Sequence, residues 1–323
     1  MRIIFIGDLH GRNTWKKIIE KEVFDLIIFA GDYVSTHERI TEEKQIENLK
    51  DILTYKEENP DKVILLRGNH DLQHLGYSWA ECSGLFHKVL DYMSKKDVKH
   101  RFLKDTQWVY IHENIVFSHA GISKTWLKEV NCPLEKLNKL NASEKFGFSP
   151  GSDNIFDNFG NSIYQPLTWI RPQALMKDAI DKYIQVVGHT PVTKITNLHE
   201  YNDKVHIWLC DALPYEYLVI ECFPEGTSIY PKYVDKPVIP LHNRYHINVY
   251  LENIEDNKWI LKGDDMALNY IGVNFLEDHI YSVDPEGGPY LGEGETIAGK
   301  KITSIKESSE GYILTLEDED KKD

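Results

Sequence analysis

What this sequence lacks already narrows its function. Its 323 residues hold only four cysteines, at positions 82, 132, 210 and 222. They show neither the C-x-x-C spacing of a zinc knuckle nor the density of a disulfide scaffold. Reduced thiols in a cytoplasmic setting are therefore expected. No apolar run approaches the ~20 residues that a membrane-crossing helix needs, so no membrane partner is expected. The chain opens Met1-Arg2-Ile3-Ile4-Phe5-Ile6, directly into an apolar strand, without the basic, apolar and small-residue segments of a secretory leader, and export is not expected. Positive charge is also in deficit: 37 Lys and Arg against 51 Asp and Glu leave a net charge of −14. Proteins that track long nucleic acids cluster Lys and Arg to displace counterions, so long DNA or RNA is not an expected partner. A small phosphorylated molecule is not excluded, because bound cations would invert the local potential.

What is present is an alternation of strands and helices. Apolar runs at residues 3–6, 25–30 and 63–66 read as strands, and residues 14–21 and 42–57 read as helices, the second with apolar positions at Ile46, Leu49, Ile52 and Leu53. Short strands follow at 115–117 and 186–187, and residues 206–210 and 217–221 read as a late strand pair turning at Pro214. This pattern implies an α/β layered domain with ligand-binding loops at the carboxyl ends of its strands. Near residue 225 the pattern changes: Pro231, Pro237 and Pro240 read as a linker, and five strand-like runs follow, at 246–251, 259–262, 267–275, 279–283 and 312–316. Two domains are expected, 1–225 and a β-rich 226–323. The second holds 19 acidic and 10 basic residues, a surplus that suits either solubility or a basic protein partner, with a frayed acidic end at 317–323.

Each of the first three strands ends in a glycine-led cluster: Gly7-Asp8-Leu9-His10-Gly11, Gly31-Asp32-Tyr33-Val34 and Gly68-Asn69-His70-Asp71. Two histidines follow later strands in the same way, at Ser118-His119-Ala120-Gly121 and Gly188-His189-Thr190-Pro191. One Gly-Asp pair is ordinarily a cap or turn; five clusters at strand ends are convergent. Asp8, His10, Asp32, Asn69, His119 and His189 combine carboxylate, imidazole and amide oxygen, donors that suit divalent Mn, Fe or Zn better than Ca or Cu(I). Two ions fit this number of donors, and a carboxylate such as Asp32 can bridge them while both hold phosphate oxygens.

The order GDLHG, GDYV, LLRGNHD, SHAG, GHT resembles the calcineurin-like metallophosphoesterase superfamily, and GDYV with VILLRGNHD is similar to its phosphoprotein-phosphatase branch, the phage and bacterial members included. The likeness spans residues 1–222. It implies a four-layer αββα sandwich, a first metal held by Asp8, His10 and Asp32, and a second held by Asp32, Asn69, His119 and His189. It also implies His70 as the general acid, and Arg171, in Thr168-Trp169-Ile170-Arg171-Pro172, as the phosphate-gripping arginine. Arg12 and Asn69 are further substrate-binding candidates, and Asp211 takes a supporting place. Relatives read GDYVDRG where this chain has Ser35-Thr36-His37. The carboxylate that orients the catalytic histidine is thus missing, so either another carboxylate, Asp71 or one from elsewhere, supports His70, or proton transfer is weaker here. Trp79, Trp108, Trp126 and Trp208 read as packing residues.

The function expected is hydrolysis of a phosphomonoester, in a phosphoprotein or a small phosphorylated metabolite, by a water activated on two metal ions. A nucleotide phosphoanhydride or phosphodiester hydrolase, and an inactive fold serving as a binding module, are the alternatives.

Overall fold

The computed structural model describes residues 1–36, 38–149, 160–200, 205–235, 238–240, 249–255, 258–263, 279–281, 290–292, 296–297, 300–308 and 311–318. The chain divides into two compact units, Met1–Val234 and Asp235–Asp323.

In the first unit, β1 (Arg2–Ile6), α1 (Thr14–Lys21), β2 (Leu26–Phe29), α2 (Glu42–Glu58) and β3 (Val63–Leu66) alternate as expected. They are followed by α3 (Asn69–His74), α4 (His87–Met93), α5 (Lys96–Asp105), β4 (Thr106–Gln107), β5 (Val109–His112), β6 (Ile115–Ser118), α6 (Lys124–Val130) and α7 (Pro172–Asp178). The unit closes with β7 (Ile184–Pro191), β8 (Thr196–Asn197), β9 (Ile207–Asp211), β10 (Glu216–Phe223) and β11 (Gly226–Tyr233). One sheet has the order β11-β10-β1-β2-β3-β4, the other β5-β6-β7-β9-β8. Strands β1 to β4 run parallel, as do β6, β7 and β9, with antiparallel strands at the edges.

The layers follow from side-chain alternation along the strands. Ile3 and Phe5 of β1 and Leu26 and Ile28 of β2 pack into one core with Ile115, Phe117 and Val186 of the other sheet, and the Phe5 and Phe117 rings stack at 5.7 Å. Their neighbours Ile4, Ile6, Ile27 and Phe29 face the opposite way, onto Trp15 and Ile18 of α1 and Leu49, Ile52 and Leu53 of α2. On the far side, Val187, Ile207 and Leu209 pack against Ala174 and Leu175 of α7. The result is the expected four-layer αββα sandwich, in which central strands are apolar on both faces because both faces are covered.

Two expectations need correction. The runs at 206–210 and 217–221 are not a hairpin: β9 pairs with β7 and β8 in one sheet, while β10 pairs with β1 and β11 in the other. Both are buried on two faces, so their apolar patterns carry no information about which strand is the neighbour. The division expected after residue 225 falls after Val234. The reason is that β11 pairs with β10 along its whole length, and Pro231, read as part of a linker, sits in β11 at the edge of the sheet, where a missing N–H is tolerated.

The second unit contains β12 (Val238–Pro240), β13 (Val249–Glu255), β14 (Lys258–Gly263), β15 (His279–Tyr281), β16 (Tyr290–Gly292), β17 (Thr296–Ile297), β18 (Lys300–Ser308) and β19 (Gly311–Asp318). Six of these form an antiparallel sheet ordered β12-β13-β14-β19-β18-β17, and β15 pairs with β16. The strand expected at 267–275 lies outside the described residues. Among the described residues no helix is long and apolar enough to cross a membrane.

Candidate metal centre

The parallel strands of both sheets deliver the predicted side chains from their carboxyl ends. Asp8 and His10 follow β1, Asp32 follows β2, Asn69 and His70 open α3 just after β3, His119 follows β6, and Asp211 ends β9. His189 arrives through an irregularity. Val187 pairs with Leu209 and Pro191 with Asp211, so β7 carries two extra residues between those pairs, and this bulge re-aims the side chain.

Backbone geometry here is unusual. His10, Asp32 and His189 adopt φ of 47°, 50° and 62°, a left-handed region that costs side-chain-bearing residues about 1–3 kcal/mol and collects at functional sites. Neighbouring loops hold it in place. Asp71 accepts from the N–H of Asp32, Tyr33 and Gly68, each at 2.9 Å. Buried amides on α2 hold both loops: Gln45 accepts from Ser35 N at 2.8 Å, and Asn48 donates to the Arg12 carbonyl at 3.0 Å. Glycine is required by crowding: a Cβ on Gly68 would stand 2.0 Å from Asp32 Oδ1, and one on Gly188 2.1 Å from Asp8 Oδ1.

Asp8, Asp32 and His119 form a buried cluster whose donor atoms all lie within 4.8 Å of one another. The other predicted residues surround it. Asn69 Oδ1 is 3.0 Å from His119 Nε2, and His10 Nε2 is 4.0 Å from Asp32 Oδ2. Both Asp8 oxygens accept from His189 N at 3.0 Å, and the His189 ring lies 5.0 Å from that of His119.

Two observations test whether cations fit. First, each histidine sets one ring nitrogen against a backbone carbonyl: His119 Nδ1 on Ala30 at 2.9 Å, His10 Nδ1 on Val34 at 3.2 Å and His189 Nε2 on Trp169 at 3.2 Å. A carbonyl only accepts, so the proton sits there and the other nitrogen carries a lone pair. The His119 lone pair on Nε2 faces Asn69 Oδ1 and, at 3.5 Å, Asp32 Oδ2. Burial pushes the His119 pKa down to about 3, so the imidazole supplies no second proton of its own toward these oxygens, and a cation would suit all three donors. Second, negative charge is concentrated. Burial, reinforced by neighbouring carboxylates, holds Asp8 and Asp32 well above the usual carboxylate range, and burial raises Asp71 to about 7 and Asp211 to about 6. Divalent cations are the natural compensation for so many buried carboxylates.

Arg171 lies beside this cluster, mostly buried and electrostatically coupled to Asp8, Asp211 and Asp32. Its Nη1 donates to the His189 carbonyl at 3.1 Å and Thr190 Oγ1 at 3.2 Å. Arg12 is differently engaged: Nε donates to Glu38 at 2.7 Å and Nη1 to the Asp8 carbonyl at 3.3 Å, which ties it to the first loop. His70 donates its backbone N–H to Asp32 Oδ1 at 2.9 Å, and its ring meets that of His10 edge-on at 5.3 Å.

The expectation that Asp71 supports the His70 ring is corrected. Both Asp71 oxygens are taken by backbone amides, and His70 Nδ1 instead has Cys82 Sγ at 3.5 Å. Ser35, in place of the family carboxylate, turns its hydroxyl to the Gly84 carbonyl at 2.7 Å. Sequence reading missed Cys82, because the residues between α3 and α4 carry no periodic signal and its approach to His70 depends on how that loop folds back.

The chain is similar to several solved structures. A cold-active protein-tyrosine phosphatase of a Shewanella species is 17% identical, covering 72% of this chain and 80% of its own, with a TM-score of 0.49. A protein serine/threonine phosphatase of Saccharomyces cerevisiae is 13% identical over 72% of this chain and 79% of its own, with a TM-score of 0.46. A metallophosphoesterase of Sphaerobacter thermophilus is 16% identical over 72% and 89%, with a TM-score of 0.36. No curated protein matches the sequence. The model of the calcineurin-like phosphoesterase family, however, matches residues 1–251, the whole first unit and the start of the second, and by that match this chain belongs to the calcineurin-like phosphoesterases, metal-dependent hydrolases of phosphate esters.

Proposed function

We propose that this chain is a phosphomonoesterase acting on a phosphoprotein or a small phosphorylated metabolite in the cytoplasm. The placement of Arg171 carries the reading. A terminal phosphoryl group brings two negative charges and three non-bridging oxygens, more than a diester, and rewards an extra cation beside the metals. With Nη1 occupied by His189 and Thr190, the remaining edge of the guanidinium has the forked geometry that matches two phosphate oxygens.

In this reading Asp8, His10, Asp32, Asn69, His119 and His189 would hold two divalent cations. Mn²⁺ is the ion proposed; Fe and Zn suit the same donors. When bound, such ions acidify a water and neutralise phosphate oxygens. Arg171 orients the phosphoryl group, Asn69 borders it, and Asp211 strengthens the local field on the guanidinium. His70 delivers a proton to the departing oxygen. Its backbone hangs on Asp32 Oδ1, so a carboxylate that would serve the cations also positions the acid. Residues 235–323 act as a separate domain whose acidity suits a basic protein partner.

The test is a substrate panel on the full chain with Mn²⁺, run beside a chain ending at Val234. Inorganic phosphate released from p-nitrophenyl phosphate, phosphopeptides and phosphorylated metabolites is the expected result. Cleavage confined to bis-p-nitrophenyl phosphate and dinucleoside polyphosphates would move the assignment to a nucleotide hydrolase. Absence of both bound metal and turnover would leave a binding module.

A further inference from the structure

Next to Arg171 lies a cavity of about 470 Å³, within the range of small-molecule sites. Its lining includes Phe148, Trp169, Arg171, Thr190, Asn161 and Gln173. The Phe148 and Trp169 rings meet edge to face, 5.3 Å apart at 72°, so two nearly perpendicular aromatic rings stand together in the lining. Trp169 also faces the metal cluster: its ring lies 5.8 Å from that of His189, and its carbonyl receives the His189 Nε2 proton. Gly160 fixes the Trp169–Arg171 backbone. Its carbonyl accepts from Arg171 N at 2.9 Å, and a Cβ there would come within 2.6 Å of the Trp169 carbonyl oxygen. Cavity and metal cluster therefore share a wall and share Arg171.

We infer that this cavity receives the leaving group and that this group is a planar aromatic ring, an inference that rests on the phosphomonoesterase reading above. A phosphomonoester has a single organic substituent. With the phosphoryl group on Arg171, the cavity that Arg171 also lines is the place for that substituent. Perpendicular aromatic walls favour a flat ring, which stacks on one and presents its edge to the other, whereas a saturated ring of equal size gains area but no quadrupole match. Asn161 and Gln173 also line the cavity, and a side-chain amide can both donate to and accept from a ring's polar edge. In the reaction the water oxygen bonds to phosphorus as the P–O ester bond breaks, and the ring's oxygen leaves with the bonding pair and takes its proton from His70.

Competitive inhibition of phosphomonoester turnover by unreactive phosphonates tests this on the full, metal-loaded chain. Phenylphosphonate is expected to bind about tenfold more tightly than cyclohexylphosphonate. Phe148→Leu and, separately, Trp169→Leu should each bring that ratio toward one; should the Trp169 variant misfold, the Phe148 variant alone decides. Equal inhibition by the two phosphonates, or an aromatic preference that survives Phe148→Leu, overturns the pocket while leaving the phosphomonoesterase assignment standing. Failure to hydrolyse any phosphomonoester overturns both.

Discussion

The carboxylate of Asp71 accepts the backbone N–H of Asp32 at 2.9 Å while that residue holds a left-handed φ of 50°. A residue read as a catalytic partner is thereby a clamp on the loop that presents Asp32, the carboxylate proposed to serve both cations. Three donors converge on Asp71 within a fully buried environment, so the anion is matched by fixed N–H dipoles. Asp71→Asn keeps an acceptor but sets an NH₂ against backbone N–H groups. A loss of about 2–3 kcal/mol in urea unfolding is expected, together with weaker metal loading. A stability unchanged from wild type would remove the clamp.

Asp32→Asn is expected to abolish metal content and turnover together, because this side chain approaches both His10 and His119 and also receives His70 N. Elemental analysis of purified protein, paired with phosphate release, reads both. Near-normal activity in this variant would exclude Asp32 from the centre.

Gly188→Ala tests crowding rather than chemistry. The added Cβ would stand 2.1 Å from Asp8 Oδ1 and 2.9 Å from Ala30 Cβ, so Asp8 must shift. Metal affinity should fall about 10–100-fold, the range seen when the support of a ligand is disturbed, with the far-ultraviolet circular dichroism retained. Titration with Mn²⁺ checks this, and wild-type affinity would contradict the geometry.

His70→Asn separates acid catalysis from metal binding. Metal content should stay normal while alkyl phosphates, whose departing oxygens are basic, slow by about 100-fold or more and p-nitrophenyl phosphate slows much less. A uniform loss across leaving groups would argue that His70 acts by some other means.

Glu22 predicts the acid limb of stability. Burial by itself would raise its pKa, but hydrogen bonds from Lys232, Tyr217 and Arg2 outweigh it and hold the carboxyl at about 2, below its ordinary 4.5. A depressed folded-state pKa contributes stability that is present above the unfolded pKa and is lost as pH falls toward the folded one. The advantage of wild type over Glu22→Gln in unfolding temperature should therefore shrink between about pH 5 and about pH 2. A difference independent of pH would show that the pairing with Arg2 and Lys232 is not what holds this corner.

The first half of the fold was legible because β1, β2 and β3 each pair a short apolar run with a glycine-led carboxylate or amide cluster, and because α2 has an amphipathic face. Helices α3 to α7 were not, since they are short and held by tertiary contacts such as Leu72 and Val89 in the core rather than by a strong helical period.

Sequence was enough to place Asp8, His10, Asp32, Asn69, His119 and His189 at strand ends next to glycines, because parallel strands release such loops on one edge. Tertiary structure alone decided which sheet takes β9 and which takes β10, that Asp71 clamps a loop, that Cys82 approaches His70, and that Phe148 and Trp169 form a corner beside Arg171. The physical reason is one of range. A strand-end motif is written by local backbone sterics and dipoles, whereas the partner of a fully apolar strand, or of a buried side chain, is set by long-range packing that no short window of sequence records.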